Sequence, residues 1–298
     1  MATNPSEIPV QPNPLARQRR LVQALLNLRT SKGHSHAELA RLSGVSASAI
    51  SRLENPCGES HRRPSIRAVR QLLDALGVPR DSERFRILDQ WAEEAGAPRW
   101  WDRHQRMGDG QRTFALVELG ASHICDYAGM LMPGLMQTPE YARHRVQASN
   151  APISDPEPIV AGRIARRQVL DTATYRLVLE EQAIRRRPVP AQVMIDQLEY
   201  LLVLAERPNI SIRVVPVDAD LGDGYTPRGP FSHITYPDRG DPKIVIVDND
   251  AYHPRLVVAD GEVDGYARLH ERLWNACLSE TDSTTLIREV AGKLRAAG

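Results

Sequence analysis

The sequence predicts a chain of two classes, an all-α head of about five helices followed by an α+β body with a small mixed sheet. Three observations carry that reading. From residue 14 to residue 96, apolar residues recur at helical spacing between serine caps and glycine stops. From residue 113, helical stretches alternate with short runs of Val, Ile, Leu and Tyr that read as strands. Charge divides the same way, since residues 1–80 hold 12 Lys+Arg against 5 Asp+Glu and the rest hold 26 against 32. The formal charge of +1 therefore conceals a basic head and a mildly acidic body.

Residues 1–13 are proline-rich and polar, and read as a flexible arm. They lack a basic start followed by an apolar segment, so no signal peptide is expected. Residues 14–32 form an opening helix with Leu15, Leu21, Leu25 and Leu28 near helical spacing, stopped by Gly33. The next stretch, GHSHAELARLSGVSASAISRLE, holds two short helices about a glycine. Ser35 and Glu38 make a capping box for the first, whose inward stripe is Leu39, Ala40 and Leu42. Gly44 supplies the positive φ of a sharp turn, and Val45 plugs the corner. Ser46 caps the second helix, with Ile50 and Leu53 inward and Ala47, Ser48, Ala49, Ser51 and Arg52 outward. A polar loop follows, then a helix at 66–78 with Ile66, Val69, Leu72, Leu73 and Leu76 inward, and a fifth at 83–96.

The spacing at Leu39, Ala40, Gly44, Val45, Ser46, Ile50, Ser51 and Glu54 resembles the Cro/repressor-type (Xre) helix-turn-helix family. His36 and Ala47 stand where that family often carries glutamine, which changes the bases that are read but not the fold. The resemblance implies a DNA-binding head that lays its second helix in the major groove. The expected DNA-binding residues are Ser35, His36, Arg41, Ser46, Ala47, Ser48, Ser51, Arg52, Arg62 and Arg63. Arg17, Arg19, Arg20, Arg29, Lys32, Arg67 and Arg70 are further candidates for neutralising phosphates, although some belong to a solvated face.

Beyond the head, residues 81–112 read as a helical hinge, in which adjacent Trp100 and Trp101 look like a docking anchor. The body, 113–298, opens with a helix over 114–124 and an extended stretch over 126–135. Helices follow at 138–149, capped by Thr138 with Pro139 first, and at 158–171. A strand over 174–184, a helix over 190–206 and a strand over 209–218 make a βαβ-like unit, so those strands are expected to be parallel. FSHITY and KIVIVDN, joined by the turn-rich PDRGDP, look like a hairpin, and two helices close the chain.

The strings MPGLMQTPEYAR, GRIARRQVLD, QLEYLLVLAERPNISIRVVPVD and ERLWNACLSETDSTTLIREVA resemble the uncharacterised domain fused to such heads in WhiJ-like regulators of actinobacteria. That resemblance implies transcriptional control, often beside genes for small partner proteins in an antitoxin-like arrangement. It implies no known ligand or chemistry.

Enzymatic signatures are missing. The sequence has no HExxH, Walker glycine loop, GxSxG or GxGxxG. Asp218, Asp220 and Asp223 lack the spacing and closing glutamate of a calcium loop, and a solvated turn is the better reading. His233, His253 and His270 are scattered. Cys57, Cys125 and Cys277 fit neither a disulfide framework nor a zinc site, which points to reduced cytoplasmic thiols. No apolar run approaches the ~20 residues of a membrane span. No catalytic residue, metal or cofactor is assigned.

The expectation is thus a cytoplasmic, sequence-specific transcriptional regulator that binds a double-stranded DNA operator as a homodimer and has no membrane association. Its body would sense a ligand or a small protein encoded by a neighbouring gene near Tyr127, Gln137, Tyr141, Arg166, Arg167 and Glu180. In the alternative, an antitoxin-like protein sequesters a small partner and autoregulates its operon.

Overall fold

A computed structural model of the chain describes residues 11–54, 63–104, 106–148, 153–222, 227, 229–248 and 254–297. It divides into two compact units, one of Pro9–Arg99 with Tyr236–Pro242 and one made of the rest.

The head is all helical, with α1 Pro14–Ser31, α2 His36–Ser43, α3 Ala47–Glu54, α4 Ile66–Ala75 and α5 Glu83–Gly96. Side-chain caps start most of them. Asn13 accepts from the Ala16 amide at 2.9 Å, Ser65 accepts from Ala68 and Ser82 from Phe85, each satisfying a donor the helix cannot. The five helices share one core that includes Leu21, Leu25, Leu39, Ile50, Leu72 and Leu88. Trp91 packs against this core from α5. Leu42, expected inward, is 48% exposed. On a helix of ~100° per residue it lies well off the direction shared by Leu39, Ala40 and Ser43, so only those positions can face the core. Ala49, expected outward, packs partly against the core instead.

The remote segment Tyr236–Pro242 belongs to the same unit. Its Asp238 accepts from Arg17 Nη1 at 2.7 Å and from Arg20 Nη1 at 2.6 Å, and buried Asp241 pairs with the same two nitrogens at 3.1 and 3.2 Å. Gly240 lies against Arg20 so closely that a β-carbon there would stand 2.8 Å from the guanidinium. The guanidinium in turn stacks 4.1 Å above the Trp91 ring.

The body is built on a six-stranded mixed sheet of β1 His123–Ala128, β2 Thr174–Glu180, β3 Ile210–Val215, β4 Phe231–Thr235, β5 Ile244–Val247 and β6 Arg255–Val257. The strand order is β3-β2-β1-β4-β5-β6. The first three are parallel, and β4, β5 and β6 continue antiparallel from β1. The expected parallel pair and the expected hairpin are both present. Leu177, Val178 and Leu179 are buried in succession, the apolar run of a strand covered on both faces.

Among the described residues seven α-helices accompany the sheet: α6 Asp109–Glu118, α7 Pro139–Gln147, α8 Glu157–Arg166, α9 Glu181–Arg185, α10 Ala191–Ala205, α11 Asp260–Ala276 and α12 Glu280–Ala296. Helix α11 lies across one face, where Tyr127, Val178, Phe231 and Val245 meet Leu273 and Trp274. Three sequence expectations are corrected here. Residues 123 and 124 begin β1 rather than ending a helix, because Ser122 and Thr174 hydrogen-bond with neighbouring strands at that point. Residues 134–136 form a short 3-10 turn rather than extended chain. The strand ending at 184 instead stops at Glu180, and α9 follows. Strand β6, three residues long, was not expected at all.

Candidate nucleic-acid interface

The second helix of the pair is positioned by local chemistry that the sequence largely spells out. The Ser35 and Glu38 side chains bond reciprocally to each other's backbone amides, at 3.2 and 2.8 Å. Gly44 adopts φ 73°, and its N–H closes α2 on Ala40 O at 2.9 Å. Ser46 Oγ accepts from the Ala49 amide at 3.3 Å and so caps α3. Val45 and Ile50, 8% and 1% exposed, pin the turn and α3 to the core.

What then faces outward is a short polar stripe. Ser46, Ser48 and Arg52 are exposed, Ala47 and Ser51 are half-buried, and the Ser46 and Ser48 hydroxyls lie 3.3 Å apart. On the neighbouring α2, Ser35 and Arg41 are exposed beside Leu42. Arg63 is exposed just before α4, whereas Arg62 lies outside the described residues.

His36 is placed differently from the others. Its Nε2 lies 2.8 Å from Glu54 Oε2, inside a network that sequence reasoning did not foresee. Arg29 grips the same carboxylate with Nε and Nη2 at 2.7 and 2.6 Å, and Glu54 is buried. Burial pushes the Glu54 carboxyl up, but the hydrogen bonds and charges of Arg29 and His36 outweigh it and hold the group below its ordinary value. Three elements, α1, α2 and α3, therefore meet at one carboxylate. Glu54 was visible as a family-type position; its partners, 18 and 25 residues away, were not.

The arginines sort themselves accordingly. Arg17 and Arg20 are held by Asp238 and Asp241, Arg29 by Glu54, and Arg70 by Asp89 at 2.7 Å and Glu93 at 2.8 Å. Arg19 is half-buried, and desolvation lowers its guanidinium. Arg41, Arg52 and Arg67 are exposed and make no ion pair among the described residues.

In the body, the expected ligand-facing residues fall into separate groups. Tyr127 donates to Glu180 at 3.0 Å on the α11 face of the sheet. Burial raises both groups, Glu180 against the opposing pull of the Tyr127 bond. Gln137, Tyr141 and Arg166 gather elsewhere, around the 132–138 stretch, α7 and α8. Arg166 is committed to Glu118 by two bonds, at 2.8 and 2.5 Å, and to Gln111 at 2.6 Å. Arg167 lies over the Tyr200 ring at 4.9 Å, apart from either group. Next to Glu180, Glu181 pairs with Arg185 and accepts from the Val217 amide at 2.9 Å.

Cys125 and Cys277 are free thiols, both raised by burial, the first to about 11 and the second to about 12; Cys57 lies outside the described residues. Asp220 accepts from the Gly222 amide at 2.8 Å in a simple turn, and Asp223 and His253 are likewise outside. Among the described residues, no group of three His, Cys, Asp or Glu is placed to hold a metal, and no helix is long and apolar enough to cross a membrane.

Residues 20–85 match the family model of a helix-turn-helix domain, which marks the chain as a DNA-binding regulator by class. Residues 111–289 match a second model, described as a domain of unknown function (DUF5753), over more than half of the chain. The chain belongs to that family. No curated protein and no solved structure matches it.

Proposed function

We propose that this chain is a sequence-specific transcriptional regulator that inserts α3 into the major groove of its operator as a homodimer and receives a chemical or protein signal in its body. The observation that carries this reading is selective pairing. Four arginines away from the outer face of α3 are each engaged by carboxylates, whereas Arg52 on α3 and Arg41 on α2 carry no ion pair among the described residues. Exposed, uncompensated guanidiniums beside small side chains suit phosphates and base edges. In this arrangement Ser48, Ser51 and Arg52 address bases, Ala47 touches a thymine methyl, and Ser35, Ser46, Arg41 and Arg63 anchor the sugar-phosphate backbone. His36 supports the pair through Glu54.

One helix of eight residues covers only a few base pairs, so tight binding needs two copies. Selection of bound sequences from random DNA by the full chain should therefore yield an inverted repeat with half-site centres about 10 base pairs apart, or a multiple of that. Sedimentation of the same protein should show a dimer at micromolar concentration. A monomer with an asymmetric footprint would rule out the two-fold arrangement, and failure to select any sequence would rule out the regulator itself.

A further inference from the structure

Two arginines lie one turn apart on α8 and are treated differently. Arg166 has its Nε, Nη1 and Nη2 all engaged, by Glu118 and Gln111. Among the described residues Arg163 makes one bond, from Nη1 to the neutral Gln137 Oε1 at 2.6 Å, and its buried Nε finds no acceptor. It forms no ion pair with a carboxylate among the described residues. Desolvation, then repulsion from Arg166, lower its guanidinium to about 10, with Asp248 pulling the other way and Arg145 adding repulsion. A half-buried charge whose buried Nε has no acceptor, served by a single amide among the described residues, is an unfinished arrangement.

The unfinished guanidinium is nonetheless held firmly. Gln137 donates its own amide N–H to Met132 O at 2.7 Å, so its oxygen is obliged to face Arg163. The same stretch is tied down by Gln197, which accepts from the Thr138 amide at 2.8 Å and donates to Met136 O at 2.7 Å. A guanidinium fixed in orientation with donors to spare is the partner for a carboxylate, which takes two parallel hydrogen bonds from it. Arg166, saturated by Glu118, cannot take that role.

We propose that Arg163, oriented by Gln137, receives the carboxylate of a small-molecule effector. This rests on the signal-receiving role given to the body above and names its chemistry. Arg163 is half-buried rather than closed into the core.

Three measurements on the full chain test it. A receiving arginine is dispensable to the empty fold, so Arg163→Met and Arg163→Gln should melt within about 2 °C of the parent or above it, whereas Glu118→Gln, which strands Arg166, should melt several degrees lower. A loss at Arg163 as large as that at Glu118 would make Arg163 a structural group and overturn the proposal. Side-chain NMR of 15N-arginine protein, titrated with acetate, succinate and benzoate at constant ionic strength, should shift the Arg163 Nε resonance saturably, and Arg163→Gln should abolish the response. Inorganic phosphate should bind at least tenfold more weakly. Saturation by phosphate alone, or a linear drift equal to that with chloride, would overturn the carboxylate assignment. Selected-site DNA affinity of the parent separates the two levels: intact DNA binding with no carboxylate response removes only this inference, while absent DNA binding removes the regulator reading.

Discussion

Glu54 shows how much a single residue can hold. Removing its carboxylate leaves Arg29, with a side chain 13% exposed, without its counter-charge, so Glu54→Ala should cost ~3 kcal/mol in urea unfolding, near the range for breaking a buried pair. The solvent-screened Arg70–Asp89 pair should matter less than Glu54 by the same measurement. The Glu54 carboxyl is held below its ordinary value, so its contribution is present above the unfolded-state value near ~4.3 and is lost as pH falls through the folded one. Stability of the parent should therefore drop more steeply below about pH 4 than that of Glu54→Gln. Arg52 is the complementary case, an exposed side chain with no ion pair among the described residues. Arg52→Ala should leave unfolding unchanged and weaken binding to a selected DNA site by about 1–3 kcal/mol, measured by fluorescence anisotropy. Unaltered affinity and sequence preference would remove Arg52 from the reading surface. At this scale the sequence showed residue types, the Ser46 cap, and outward positions such as Ser48 and Arg52. It did not show which charges meet, because His36, Arg29 and Glu54 converge only through the tertiary fold.

The elements were legible in proportion to how local their causes are. Helices α2 and α3 are written in a capping box, a positive-φ glycine and i, i+3 apolar pairs, all within a few residues, and their limits follow from those signals. The presence of α10 and of a parallel strand on either side of it was legible in the same way, although not the end of the first strand. The expectations failed where neighbours decide. β1 begins at His123 because β2 and β4 pair with it on either side; the one local sign was Gly120, which takes φ 71° just past α6 and stops the helix there. α9 interrupts what the apolar pattern continued as strand, and β6 is too short to show periodicity. The ligand-facing residues of the body were read as one group for the same reason. Alternation along a strand sends Tyr127 and Asp126 to opposite faces, and the sequence offered no register with which to see that Tyr127 and Glu180 share a face apart from the buried Asp126–Tyr175 bond. Arg163 was passed over because GRIARRQ presents three similar arginines, and only their partners distinguish them.

For the whole molecule, the division of the sequence into a basic head and an acidic body understated how the head is made. Its α1 arginines are matched by Asp238 and Asp241, which stand more than 200 residues later. Charge counting placed Arg17 and Arg20 among the candidates for phosphate contact; the fold gives them to carboxylates of the same unit. Asp238→Asn together with Asp241→Asn should therefore lower the unfolding midpoint of the full chain, while the freed arginines make the salt dependence of DNA binding steeper rather than shallower. A salt slope unchanged from the parent would mean that those guanidiniums stay out of reach of phosphate. There is also a consequence in time. Because Tyr236–Pro242 belongs to the unit that begins at Pro9, the part of the chain that leaves the ribosome first must wait for most of the remainder before its acidic turn arrives. Nascent chains halted at residue 230 should expose α1 to protease, and chains carried past 242 should protect it. The head starts folding early and is finished late, so a prematurely ended product carries its defect at the opposite end from the missing residues.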